Sequence, residues 1–425
     1  MSAATDNLSF AGEVAIIEVS IITTKGFIQT ITNQTAGVQL FEDLFSPFLT
    51  GIVIVKESHD LINLFPLVGE EFVRLELVTP GLQAKYTFKG EFYIYKMGDR
   101  FRINERELGY ALYFMSKESA IDINKKISKV YSGKISDTVK KLISSQDALE
   151  SNKTQFIEET KNGTKHISNF WCPTENLNYL AQQAVNNNDS PSFLFFETKF
   201  GLSFMSLDTL MQMPLYQEFI WDNYSKDINP GGGSVRNPDK DYQRILEFTT
   251  PETFNYMDRV TSGMYASRMI HYDIVTKKYT DKNFSAISKV GNQTHLNEFP
   301  LVTETVPVKP NSLIINEHKY YANFNAFGDV TNTKTIQERI SLIEQMNAFK
   351  LEITVFGRMD YSIGQTVNLR VFKNSQLIEE DDPEEYLDKI YSGKYLISAI
   401  AHTIDREKHE CSMELVKESF IRELK

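Results

Sequence analysis

The stretch Phe72–Val78, FVRLELV, alternates apolar and polar side chains. A period of two belongs to a half-buried β-strand, so Val73, Leu75 and Leu77 are expected on one face. Similar stretches recur. Residues 13–24 (EVAIIEVSIITT), 49–56 (LTGIVIVK), 86–95 (YTFKGEFYIY) and 107–116 (ELGYALYFMS) read as strands, with a turn at Pro80 and Gly81. Four more close the chain: FKLEITVFG, QTVNLRVF, GKYLISAIAHTI and ECSMELVK. The last two form a hairpin turned by Asp405, Arg406, Glu407 and Lys408. Short strands separated by turn signals build barrels or sandwiches, and 29 Phe and 20 Tyr in 425 residues suit that architecture.

The period changes between these blocks. Ser58–Phe65 fits a short helix, and residues 117–148 read as two helices broken at Ser132 and Gly133. A polar link, 145–164, leads to FWCPTENLNYLAQQAV. This is a helix with Pro173 in its first turn and Leu177, Leu180, Ala181 and Ala184 on one face. SFLFFETKFGLSFMSLDTL gives two strands and a tight turn, and residues 265–279 read as one long strand. Residues 284–330 are polar and irregular. Thr335–Ala348 reads as a helix burying Ile336, Ile340, Ile343 and either Met346 or Asn347.

Charge and composition exclude several functions. The net charge of −11 opposes a main role in holding phosphate or docking on an anionic membrane. No run of about 18 apolar residues occurs. Two cysteines make no disulfide framework, and MSAATDNLSF has no signal-peptide pattern, so folding in a reducing cytoplasm is expected. The glycines of residues 229–238 lack the Lys-Ser/Thr of a phosphate loop. The acidic run 379–385 lacks the spacing of a calcium loop and reads as a solvated loop.

Of the seven histidines (His59, His166, His271, His295, His318, His402, His409), none forms a helical metal-binding pair with another. His402, His409 and Cys411 gather in the last hairpin and could hold a metal. Alternation places His402 with Leu396 and Ile400, and Cys411 with Met413 and Leu415, which packing explains. No catalytic residue, metal or cofactor is therefore expected. A chain of this size without a recognisable site is read as a structural or binding component rather than an enzyme.

Several segments carry a family resemblance, among them the closing hairpin YSGKYLISAIAHTID with HECSMELVKES and the middle stretch FWCPTENLNYLAQQAV with SFLFFETKFGLSFMSLDTL. FEDLFSPFLTGIVIVKESHDLINLFPLVGEEFVRLEL, residues 41–77, resembles the first barrel of baseplate hub proteins of contractile-tailed phages. Phe45, Pro47, Thr50, Gly51, Asn63, Leu64, Pro66, Gly69 and Glu70 sit at the family's corner and turn positions. TIQERISLIEQMNAFKLEITVFGRMDYSIGQTVNL, with Gly357 and Gly364 at strand ends, is similar to the second barrel of hub and VgrG-type spike proteins.

The resemblance implies a mainly β fold with an α+β insert. Two tail-tube-like barrels would occupy residues 1–118 and, discontinuously, 243–282 with 335–425. A middle helix-and-hairpin domain would occupy 119–242, and 283–334 would be an irregular insert. It also implies a homotrimer in the virion's tail baseplate, assembled in the host cytoplasm. Such a trimer adapts a three-fold central spike to a six-fold tail tube, alongside other baseplate proteins, with DNA passing through but no specific nucleic-acid or membrane binding. A tail-associated peptidoglycan hydrolase and a receptor-binding tail protein are the alternative readings.

Overall fold

The computed structural model describes residues 10–57, 67–80, 87–221, 238–252, 255–273, 277–303, 309–310, 312–317, 335–373 and 386–423. The expected helix at 58–65, the glycine loop at 229–237 and the acidic run at 379–385 lie outside them, as do Asn63, Leu64 and Pro66.

The N-terminal strands are β1 (Ala15–Ile22), β2 (Ile28–Thr30), β3 (Thr35–Asp43), β4 (Thr50–Glu57), β5 (Phe72–Val78), β6 (Thr87–Arg102) and β7 (Leu108–Ser116). Val73, Leu75 and Leu77 are fully buried, as their alternation requires, against Val19, Ile21, Val53, Val55, Leu112 and Phe114. β6 runs well past the expected end because it forms a long ribbon with β7. Gly51 lies inside β4 rather than at the bend assigned to it. A Cβ there would come within 2.3 Å of both Gln39 O and Phe114 Cζ. Gly69 and Gly364 do hold left-handed turns, at φ 92° and 78°.

The middle unit follows: α1 (Lys117–Asn124), β8 (Val130–Lys134), α2 (Ile135–Ser144), β9 (Gln155–Ile157), β10 (Gly163–Ile167), α3 (Pro173–Gln183), β11 (Phe193–Thr198), β12 (Gly201–Ser206) and α4 (Leu207–Gln212). The break at Ser132 and Gly133 is a strand, β8, paired with β10 out of the supposed polar link. Helix α3 begins at Pro173 and buries Leu177, Leu180 and Ala181 on one side, as read. β11 is buried along its whole length because its two faces serve two cores. Phe193 and Phe195 pack with the middle-unit helices, whereas Leu194 and Phe196 pack with the C-terminal strands.

The remaining strands are β13 (Leu215–Trp221), β14 (Ile245–Glu252), β15 (Ala266–Asp273), β16 (Lys278–Ser285), β17 (Phe299–Pro300), β18 (Ser312–Glu317), β19 (Phe349–Phe356), β20 (Thr366–Val371), β21 (Gly393–Asp405), β22 (His409–Lys417) and β23 (Ser419–Phe420). The long strand expected at 265–279 is a hairpin, β15–β16, and β18 adds to it in parallel. Helix α5 (Ile336–Met346) buries Gln337, Ser341 and Gln345 with Met346. The expected isoleucines Ile336, Ile340 and Ile343 are only partly buried. Hydrogen bonds explain the reversal: Gln337 donates to Ser267 O and Lys282 O, and Ser341 donates to Met264 O.

One 13-stranded sheet joins the two ends of the chain, in the order β14-β19-β22-β21-β3-β4-β7-β6-β5-β1-β2, with β20 beside β21 and β13 beside β20. It contains two six-strand sets, β1 with β3–β7, and β13 and β14 with β19–β22. With each set numbered from one in chain order, both lie in the neighbour order 2-3-6-5-4-1. They differ in direction at one strand, since β1 is antiparallel to β5 whereas β13 is parallel to β20.

Lys417, at the end of β22, is buried with its ammonium against three rings, Phe349, Tyr395 and Phe420, at 4.9, 4.5 and 4.9 Å. It donates to the carbonyls of Ile390 and Ser392. Burial pushes this ammonium down to about 7. Above that pH the folded chain has released a proton that the unfolded chain, with an ordinary lysine near 10.5, still holds. Stability should therefore rise with pH between those values, by up to about 1.4 kcal/mol per pH unit from this group. Denaturant midpoints across the window should show a steeper slope for wild type than for Lys417→Met. Separately, Gly51→Val should lose about 1–3 kcal/mol or more through overpacking, read as a lower unfolding temperature.

Candidate functional site

Two regions are built from both sheet halves: an outward face of the sheet and the buried junction beneath it. On the outward face one rung of residues can be followed across ten strands. It runs Glu247, Thr354, Ser412, Ala401, Phe41, Thr50, Met115, Tyr93, Phe72 and Ile22. Its character changes along the way. Around β14, β19, β22 and β21 the face is small, hydroxylic and acidic: Glu247, Glu352, Glu410, Glu414 and Asp43 stand among Thr354, Ser412, Ala399 and Ala401. Lys350 and Lys408 each reach one of these carboxylates, Glu414 at 3.4 Å and Glu410 at 2.9 Å. Around β4, β7 and β6 the face is more apolar, with Ile54 and Tyr95 exposed.

The junction is held by polar side chains that are individually costly to bury. Glu42 on β3 accepts from the backbone N–H of Lys199 and of Ile363, each at 3.2 Å, and from the Ser362 hydroxyl. One carboxylate thus ties together the N-terminal set, the β11–β12 turn and the turn before β20. Glu197 on β11 accepts from Leu49 N–H at 3.1 Å and from the Ser116 hydroxyl at 2.7 Å. Lys153 bridges Glu197 and Glu118. Burial alone would raise Glu118, but the Lys153 charge overrides it and holds this carboxyl below its ordinary range. Glu197 is buried more completely, and burial pushes it upward despite the same lysine.

The three residues weighed as metal ligands and assigned to packing meet in this junction. His402 and Cys411 are register partners on β21 and β22, and His409 precedes Cys411 by two residues on the same face. All three are buried. His402 Nδ1 lies 2.9 Å from His409 Nε2 and 3.1 Å from Cys411 Sγ, and Cys411 Sγ lies 3.5 Å from His409 Nε2. Burial, with Lys199 nearby, drives His402 well below the ordinary imidazole range and His409 to about 3. Burial pushes the Cys411 thiol up to about 12. Lys199 stands 2.9 Å from His402 Nε2 and also donates to Tyr361 O. The packing inferred from alternation is present, and the three side chains also touch. Lys199, Glu42 and Tyr361 carried no sequence signal, because they reach the cluster from distant parts of the chain.

No family model matches the chain. Solved structures share its architecture. The tail protein from Neisseria meningitidis MC58 superposes with a TM-score of 0.56 at 9% identity, covering 94% of this chain and 96% of that one. The 43 kDa tail protein of prophage MuSo2 from Shewanella oneidensis gives 0.52 at 11% identity, covering 94% and 98%. The chain therefore has a tail-protein fold. A probable baseplate hub protein of Vibrio phage KVP40 is 20% identical over 415 residues, 93% of this chain and 92% of the relative. The chain is thus similar to a phage baseplate hub protein along most of its length, the kind of protein that residues 41–77 resemble.

Lys153→Met should leave two buried carboxylates without their cation, at a cost of about 3–5 kcal/mol. The stabilisation through Glu118 is present near neutrality and is lost as pH falls through that group's depressed folded pKa. Thermal unfolding should therefore show a large gap between variant and wild type at pH 7 that narrows on acidification.

Proposed function

We propose that the chain is a structural hub of a phage baseplate, working as a homotrimer that adapts a three-fold spike to a six-fold tail tube. A structural rather than enzymatic role accords with its tail-protein relatives. The observation that carries the finer reading is the repeated strand order. One chain presents two six-strand sets arranged alike, so three copies offer six similar surfaces. A closed three-fold ring needs a heterologous interface between two different faces of each chain, and the two sets supply different faces. The single reversed strand, β13 against β1, makes the two halves alike but not equivalent. That suits an adaptor that meets a three-fold partner on one side and a six-fold one on the other.

The acidic outward face supports a further part of the reading. Carboxylates at Glu247, Glu352 and Glu414 set among small and hydroxylic residues would line a channel past which DNA slides without adhering, since like charge repels phosphate. In this reading the spike, the tube and other baseplate proteins are the partners, and the virion is the site of action.

The mass of the purified chain in solution and in assembled particles tests the proposal. Three copies of the 48.8 kDa chain are expected. A monomer or an even-numbered oligomer in the particle would sink it. Reversing the face with Glu247→Lys, Glu352→Lys and Glu414→Lys together should create salt-sensitive DNA retention in a filter or gel assay, where wild type shows none. Retention by wild type would exclude the channel-wall role.

A further inference from the structure

We propose that His402, His409 and Cys411 form a structural zinc site inside the last hairpin, independent of whether the chain trimerises. The three ligand atoms form a triangle with sides of 2.9, 3.1 and 3.5 Å. Zinc bonds of about 2.0–2.1 Å to nitrogen and about 2.3 Å to sulfur, at tetrahedral angles, place N···N about 3.3 Å and N···S about 3.6 Å apart. Each side of the triangle is within about half an ångström of those values. Two imidazoles and a thiolate supply three of the four tetrahedral positions that zinc takes, and a water would fill the fourth.

The sheet places these donors by register. His402 faces Cys411 directly across the β21–β22 ladder, so their side chains leave the same face. His409 lies two residues before Cys411, which returns it to that face. Gly357 leaves room for the His409 ring: a Cβ at that position would stand 2.2 Å from its Cδ2. With the metal on Nδ1, the remaining His402 nitrogen carries its proton toward Tyr361 O, 3.2 Å away, and Lys199, now 2.9 Å from that nitrogen, would move off it onto Tyr361 O and Glu42. Lys199 adds a positive charge on this far side of the ring. Glu42, 3.9 Å from Lys199, and the Cys411 thiolate set negative charge against it and the ion. Binding releases the thiol proton to solvent and leaves both imidazoles neutral. With every ligand buried, the ion would serve the fold and not catalysis.

The test uses the full chain purified without chelator, with zinc itself as the probe. Elemental analysis should find stoichiometric zinc. Cobalt exchanged into the protein should show the thiolate-to-cobalt charge-transfer absorption, absent from Cys411→Ser. Chelation should lower the unfolding temperature, and added zinc should restore it. Zinc-free protein whose unfolding temperature ignores added zinc would overturn the proposal whatever the variants do. So would Cys411→Ser that folds by circular dichroism and keeps its full zinc content. In either case the triangle is a hydrogen-bonded triad.

Discussion

Strand β21 is the member on which the two halves of this molecule depend. Along one edge its residues 396–404 pair with β22. Its other edge is divided: residues 393–396 pair with β20, and residues 399–405 pair with β3. A β-strand has only two edges of hydrogen-bonding groups, so dividing one of them lets a single strand close its own set and open into the next. The register shift between Ile397 and Ala399 marks the changeover. There the Leu44 N–H donates to Ser398 O at 2.9 Å, and Glu42 reaches down to the turn before β20. The sheet therefore continues through the junction, and the outward rung from Glu247 to Ile22 can exist at all.

What surrounds β21 follows from that constraint. The inward faces of the two sets form separate apolar cores, and β11 divides its side chains between the C-terminal one and the middle-unit core. The polar groups at the seams sit where backbone has no ladder partner. Glu42, Glu197 and Lys153 satisfy loop N–H and hydroxyl groups that would otherwise be buried unpaired. Such clusters contribute little to net stability compared with an apolar core, yet removing one member is costly. They fix how the units sit against one another more than they add to stability.

Much of this was legible in the sequence, and the rest was hidden for identifiable reasons. FVRLELV and the closing strands show their period because one face is apolar and the other polar. Helix α3 announces itself through Pro173 and its apolar stripe. Helix α5 misleads because its buried face is made of Gln337, Ser341 and Gln345, whose burial depends on carbonyls of β15 and β16 that no local pattern reports. The strand at β8 was hidden by Ser132 and Gly133, which read as a break but sit in a ladder with β10. The meeting of His402 with Cys411 was within reach, since the turn at 405–408 fixes which residues face each other. The approach of Lys199 from across the fold was not.

The placement of the middle unit has a consequence in polymer terms. Its chain leaves the sheet after Ser116 on β7 and returns at Leu215 on β13, so both its ends are fastened to the same sheet. It is a tethered loop of about a hundred residues, for which closing the ends costs only about 4 kcal/mol of chain entropy, already met by the strands that hold them. A single cut in a link of this unit would leave two covalent pieces that the β21–β3 ladder still holds as one body.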